Sequence, residues 1–243
     1  MKITSPDNAT YKNIKKLTTK KGRREFSLCI IEGEKIIFEN LERIEQIFVR
    51  DGYNITPNLQ DMDPITLDKK LFDEITSLET PTGIFATAQI SSETEITYPF
   101  LVLDRIQDPG NMGTLLRTAC AFGFNTIITI ECVDIWSQKV LRAGMGNQFR
   151  LNVIDISHEG FAEHIALQNC DIFVADMNGE MPDLCFGFEN MQFGLVLGNE
   201  GQGVSEKIKK LPHAVVTIPM QNKVESLNVG VAGGILMYEL TRG

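Results

Sequence analysis

The chain reads as an α/β protein in two parts, a small α/β sandwich over residues 1–92 followed by a parallel sheet with helices on both faces over 97–243. Three observations predict this. From residue 100 onward, apolar runs rich in β-branched residues alternate strictly with helical patterns. The polar stretch SSETEITYP at 91–99, ending in proline, separates that alternation from a shorter one before it, as a linker would. An apolar content of 43% against 23% charged suits a globular chain of 243 residues with a sizeable core.

In the first part, a polar amphipathic stretch over 8–21 leads into an apolar strand at 26–31 (FSLCII), a helix at 33–42 and a strand at 44–50 (IEQIFVR). A helix at 67–77 and a strand at 83–90 (GIFATAQI) complete it. In the second part, strands are predicted at 100–106, 125–130, 151–156, 171–177, 193–198 and 214–220. Helices between and after them are predicted at 113–122, 137–144, 161–168, 204–210 and 226–242. In an open parallel sheet, ligands bind beyond the carboxyl ends of the strands, so the loops after 106, 198 and 220 are the places to look.

Composition removes several function classes. No run reaches the roughly 18 apolar residues of a membrane span, and the N-terminus MKITSPDNATYKNIKK lacks the apolar core of a secretory signal, so a cytoplasmic protein is expected. The five cysteines (Cys29, Cys120, Cys132, Cys170 and Cys185) form no CxxC pair, and the three histidines show no ligand spacing, so reduced thiols and no metal are expected. Net charge is −9, but residues 1–24 hold eight basic side chains against Asp7 alone, a local +7 that leaves −16 for the rest. A basic tip of this kind can steer a polyanion, or serve only as a solvated helix; charge alone does not separate the two.

Three loops carry the candidate chemistry. DPGNMGTLLRTACAFG, residues 108–123, places a Pro-Gly turn and Asn111 before a helix whose single arginine, Arg117, sits among apolar neighbours and is expected to be buried. LGNEGQG, 197–203, runs from a strand into three glycines around Glu200, with a helix capped near Ser205. Backbone N–H groups left free there would suit an anion or the polar edge of a cofactor, and the carboxylate should face a partner. The spacing is GxxGxG, and neither GxGxxG nor GK[ST] occurs with it, which disfavours dinucleotide and nucleoside-triphosphate binding. In 218–234, Gly230, Gly233 and Gly234 interrupt an apolar helix at about 1 kcal/mol each relative to alanine, a cost that close approach of another backbone or a ligand would offset. At its start, capping explains Ser226 as well as ligand binding does, and explains Asn228 poorly.

Together DRIQDPGNMGTLLRTACAFG, LGNEGQG and IPMQNKVESLNVGVAGGILMYE resemble, in order and spacing, the three motifs of the SpoU/TrmH-type RNA ribose 2′-O-methyltransferases of the SPOUT superfamily. KKGRREFSLCIIEGEKIIFENL and TPTGIFATA resemble the ribosomal-protein-like substrate-binding domain that often precedes that catalytic domain, so the likeness covers nearly the whole chain. The resemblance implies a parallel sheet with a C-terminal trefoil knot, an exception to the rule that chains avoid knots, and a homodimer with the active site at its interface. It implies S-adenosylmethionine held by Leu197, Gly198, Gly201, Ile218, Met220, Ser226 and Leu227. Arg117 would activate or orient the ribose 2′-hydroxyl, with Asn111, Glu200, Ser226 and Asn228 completing the site. Methyl transfer from a sulfonium is an in-line displacement with a good leaving group, so position is most of the work. A guanidinium stays protonated to about pH 12, so orientation is the firmer role for the arginine and general base the weaker one.

The third motif departs from the family at Asn222, where glycine is frequent, and at Gly230, where serine or alanine is common. A non-catalytic RNA-binding protein that retains the fold is the alternative; the joint presence of Asn111, Arg117, Glu200, Ser226 and Asn228 favours the enzyme. A first domain resembling a ribosomal protein, with its +7 tip, favours ribosomal over transfer RNA as substrate, because structured RNA is read by shape and backbone.

Overall fold

The structure, a computed structural model, describes residues 1–90, 95–166, 170–180, 192–221 and 225–242. Asn222, Cys185 and the first residues of the proposed linker fall outside them. The chain divides into two compact units, Met1–Ser91 with Asp134–Phe149, and Ser92–Val133 with Arg150–Gly243.

The first unit is built on a mixed sheet in the order β1 (Lys2–Ile3), β4 (Ile65–Leu67), β3 (Ile44–Arg50), β5 (Ile84–Gln89), β2 (Leu28–Glu32). The pleat sends successive side chains to opposite faces. Ile30, Phe48 and Phe85 join Tyr11, Ile14, Leu71 and Phe72 from α1 (Ala9–Lys16) and α5 (Lys69–Asp73) in one core. Cys29, Ile31, Ile47, Val49 and Ile84 point the other way, onto Ile36 and Ile37 of α3 (Glu34–Phe38). The polar stretch over 8–21 divides into α1 and α2 (Lys20–Phe26), because the Thr19 hydroxyl accepts from the Gly22 N–H (3.1 Å) and starts a new helix. β1, β4 and the short α4 (Pro57–Gln60) have no counterpart in the sequence prediction; each is too short for a period to register.

Residues 134–149, which the alternation assigns to the second unit, pack in the first. Leu141, from α7 (Gln138–Ala143), and Phe149 lie in the core beside α3, with Trp136 against it. The buried Glu32 carboxylate accepts from Gln138 Nε2 (2.9 Å), Ser77 N (3.1 Å), Ser77 Oγ (2.9 Å) and the Thr76 hydroxyl. Arg23, at 6% exposure, donates through Nε to Asp134 Oδ2 (2.9 Å) and through Nη1 to the Leu17 carbonyl (2.7 Å). Breaking such a pair leaves a charge buried and uncompensated. Arg23→Ala is therefore expected to destabilise the protein by about 3–5 kcal/mol in urea unfolding; an unshifted midpoint would show that the pair is not structural.

The second unit carries a sheet in the order β11 (Ala214–Val216), β9 (Asp171–Glu180), β10 (Phe193–Gly198), β6 (Phe100–Asp104), β7 (Thr126–Ile130), β8 (Asn152–Asp155). Every one of these pairings is parallel. All five residues of β6 and all five of β7 are buried, as strands covered on both faces must be. β11 ends at Val216, short of the predicted 220, before Pro219, which has no N–H to give a ladder. Among the described residues no helix is long and apolar enough to cross a membrane. Cys29, Cys120, Cys132 and Cys170 are free thiols; burial pushes Cys132 up to about 11, so it acts as packing rather than as a nucleophile.

Candidate active site

The site grows from three strand ends. After β6, α6 (Pro109–Ala121) begins with Pro109 at its first turn, and the Asp108 carboxylate caps it by accepting from Asn111 N (2.7 Å). The cap leaves the Asn111 side chain free to bridge. Its Nδ2 donates to Glu200 Oε1 (2.9 Å), and its Oδ1 accepts from Asn228 Nδ2 (2.9 Å). Glu200, Asn111 and Asn228, drawn from three separate motifs, are thus joined in one hydrogen-bonded row.

Asn228 also caps α10 (Val229–Thr241), its Oδ1 accepting from Gly230 N (2.9 Å) and Val231 N (3.3 Å). This reverses the roles expected from the sequence. Capping accounts for Asn228 well, the helix starts at Val229 rather than 226, and Ser226 is an exposed residue lining a cavity.

The glycine loop after β10 closes on itself. Asn199 and Gly203 exchange backbone hydrogen bonds (3.1 and 2.9 Å), and Asn199 Oδ1 accepts from Gly201 N (3.0 Å) and Gln202 N (3.1 Å). These N–H groups are therefore occupied, contrary to the expectation that the loop leaves them free for an anion. Ser205 is the N-cap residue of the short α9 (Glu206–Lys209), without a side-chain cap bond.

A cavity of about 630 Å³ opens beyond the carboxyl ends of β9, β10 and β11. Leu197, Gly198, Gly201, Ile218, Met220, Ser226 and Leu227 all line it, together with Glu200. Val229, Ala232 and Leu236 extend its apolar wall, while Asp176, Asn178, Lys209 and Glu225 add polar groups that sequence reading missed. The rule that ligands sit at parallel strand ends, applied to β9 as well as β10, was the signal available for Asp176 and Asn178. Lys209 Nζ donates to Asp176 Oδ2 (2.9 Å), and this bond holds the aspartate below the usual carboxylate range and the lysine above its own. A void of this size, with an apolar wall and a rim of hydroxyl, amide and carboxylate groups, fits a nucleoside-sized ligand with a charged end. Among the described residues no group of three or more His, Cys, Asp or Glu could hold a metal ion.

Arg117 is not where its neighbours in sequence suggested. α6 buries Met112, Gly113, Leu115, Leu116 and Ala119, and Arg117 projects from the exposed face with no hydrogen bond or ion pair among the described residues. Four residues of spacing, not adjacency, decide what shares a helix face. α10 packs across α6 and β10. A Cβ on Gly233 would lie 2.5 Å from Leu115 Cδ2 and 2.7 Å from Leu197 Cδ1, so this glycine carries the close approach expected of the helix. Gly230 is the tighter of the other two, with Thr114 Cγ2 at 3.2 Å, whereas Gly234 has ordinary room.

A family model described as the SpoU rRNA Methylase family matches residues 99–238, more than half of the chain. The chain belongs to that family. In this SpoU chain a second model, the MRM3-like substrate binding domain, matches residues 8–86. A relative in Bacillus subtilis, 23S rRNA (guanosine(2553)-2′-O)-methyltransferase RlmP, is 31% identical over 98% of either chain. The human protein rRNA methyltransferase 3, mitochondrial, is 27% identical over 89% of this chain and 68% of its own length. Among solved structures, the AdoMet-bound rRNA methyltransferase from Sinorhizobium meliloti superposes with a TM-score of 0.84 at 25% identity, covering 100% of this chain and 97% of that one. The residues of the second and third motifs that line the cavity of this SpoU chain, and Asn111 of the first motif, which reaches Glu200 at 2.9 Å, all fall within the family match.

Proposed function

We propose that the chain transfers the methyl group of S-adenosylmethionine to a ribose 2′-hydroxyl of ribosomal RNA. One observation carries the reading: the seven cofactor candidates of the second and third motifs all line a single cavity, and Glu200, which also lines it, is joined through Asn111 to Asn228. The family and the relatives' names support the reaction and the class of RNA. When bound, S-adenosylmethionine supplies a sulfonium-activated methyl group. Leu197, Ile218, Met220 and Leu227 would hold its apolar body, while Gly198 and Gly201 leave room and the Ser226 hydroxyl offers a hydrogen bond to its polar parts.

Arg117 would receive the RNA. Its planar fork could hold a ribose 2′-oxygen and a neighbouring phosphate together, placing the oxygen in line with the S–CH3 bond that would break to release the thioether, with the hydroxyl proton passing to the phosphate or water. Glu200, bound through Asn111 to Asn228, keeps the α6, glycine-loop and α10 ends in register while that happens.

Three further features belong to the same reading. β11 lies at one edge of the sheet while α10 returns to pack on α6 and the central β10, a path suited to a chain threaded through its own loop as a trefoil knot. Val231 and Tyr238 of α10 remain 53% and 47% exposed on the unit that carries the exposed Arg117, which supports a homodimer whose second copy completes the site. The reaction would take place in the cytoplasm.

RNA would be gripped by residues 1–92, as the substrate-binding domain. Its +7 tip is smaller than the sequence implies, since Arg23 is buried in an ion pair. Lys15 meets Glu74 (2.7 Å) and Lys16 meets Glu25 (3.7 Å) in exposed pairs of little stability, which phosphate can displace. Replacing Lys15, Lys16, Lys20 and Lys21 with glutamine should weaken RNA binding and flatten the log Kd against log salt slope by about one unit for each phosphate no longer neutralised. Fluorescence anisotropy over a salt series reads this, and an unchanged slope removes the tip from the interface. The function itself is tested by incubating the protein with labelled S-adenosylmethionine and unmodified ribosomal RNA, transfer RNA or ribosomal particles. Label in a ribosomal fraction is expected; label in transfer RNA alone would overturn the substrate, and label in none would favour a non-catalytic RNA-binding protein.

A further inference from the structure

Behind the glycine loop lies a polar cluster that the reaction as described does not use. Asp104, the last residue of β6, is fully buried, yet it is a carboxylate in the middle of a parallel sheet. Burial of a charge demands partners. Its Oδ2 accepts from Ser205 N (2.6 Å), at the far end of the glycine loop, and its Oδ1 accepts from His158 Nε2 (2.9 Å). His158 begins α8 (His158–Ala166) and is itself only 6% exposed, its other nitrogen facing Glu131 Oε1 at 3.3 Å.

The next residue works on the same loop from outside. Arg105 donates through Nη1 to Gln202 Oε1 (2.9 Å) and through Nη2 to the Gly203 carbonyl (3.1 Å), while its own carbonyl accepts from Asn199 Nδ2 (3.0 Å). It can do so because its backbone is left-handed, φ +60°, a conformation a non-glycine residue holds only where its surroundings fix it. Glu131, after β7, is left-handed as well, φ +51°. Two adjacent strand ends thus carry strained residues around one buried carboxylate. The loop they hold, 198–203, is a wall of the cofactor cavity.

We propose that Asp104 and Arg105, with His158 as their buttress, are positioning residues that hold the Gly198–Ser205 loop in its cofactor-binding shape. The inference rests on S-adenosylmethionine binding in that cavity. No member of the cluster lines the cavity, so the effect is indirect: Asp104 fixes where the loop ends, and Arg105 fixes its turn.

The test compares wild type with Asp104→Ala, Asp104→Asn and Arg105→Asn, measuring S-adenosylmethionine affinity by titration calorimetry and steady-state kinetics in both substrates. Asp104→Ala should raise Kd and KM for S-adenosylmethionine at least about ten-fold, with KM for RNA and kcat at saturating cofactor near wild type. Asp104→Asn should recover most of the affinity. Its amide oxygen can still accept from Ser205 N, and its amide nitrogen can donate to His158 Nε2 once the ring carries its proton on the other nitrogen. A merely structural role would lower thermal stability without that split between substrates. Should Asp104→Ala not fold, Arg105→Asn carries the same expectation, because asparagine tolerates the left-handed backbone and is too short to reach Gln202. Folded variants that bind S-adenosylmethionine as wild type does would overturn this inference alone. Wild-type protein that binds none would overturn the methyltransferase reading and this inference with it.

Discussion

Arg117→Ala is expected to reduce methyl transfer by about 10²–10³-fold or more, the scale of losing one preorganised group aimed at developing charge. Cofactor affinity and thermal stability should stay near wild type. The separation follows from its setting: Arg117 is exposed and has no partner among the described residues, so its removal empties no core and strands no charge. Alanine is also the better helix former. Arg117→Lys sharpens the test, since lysine keeps the charge and loses the planar two-point fork. Near-normal turnover by the lysine variant would mean that charge alone suffices, and near-normal turnover by the alanine variant would remove Arg117 from the reaction.

Gly198→Ala is expected to abolish detectable S-adenosylmethionine binding and to destabilise the fold by about 1–3 kcal/mol, the usual penalty of overpacking. An added Cβ would lie 2.2 Å from Gly203 C, 2.2 Å from Val204 N and 2.5 Å from Gly203 O. All three are backbone atoms, so no side chain can swing aside. The Asn199–Gly203 bridge must open, and with it the cavity wall. Gly201→Ala is the control for stability. Its nearest neighbour would be Asn199 Oδ1 at 3.7 Å, so its unfolding midpoint should move by less than about 0.5 kcal/mol. A folded Gly198→Ala protein with unchanged cofactor affinity would show that the loop's closure does not shape the site.

The contrast between these two glycines shows how far the sequence could be read. LGNEGQG announced a loop and a site, but which glycine is obligatory depends on the chain folding back at Gly203, which spacing does not reveal. The central strands were legible because β6 and β7 are buried on both faces and so read as unbroken apolar runs. β1 and β4, two and three residues long, carry no such signal. The candidate residues were legible as types gathered in motifs, and the seven cofactor candidates all line one cavity. Their individual settings were not. Arg117 looked buried because adjacent residues are apolar, yet the buried face runs through Met112, Leu115, Leu116 and Ala119. Asn228 looked too specific for a cap and is one, because a single amide can cap α10 with its oxygen and reach Asn111 with its nitrogen. The packing of 134–149 into the first unit hangs on Glu32 and Arg23, more than a hundred residues away from their partners Gln138 and Asp134.

The most direct test of the central claim is the position of the methyl group. RNA labelled by the wild-type protein is digested with alkali, which cleaves after every ribose with a free 2′-hydroxyl and spares the bond after a 2′-O-methylated one. The account predicts label in alkali-resistant dinucleotides for wild type and its loss for Arg117→Ala. Label released as mononucleotides, with the methyl on a base, would contradict it.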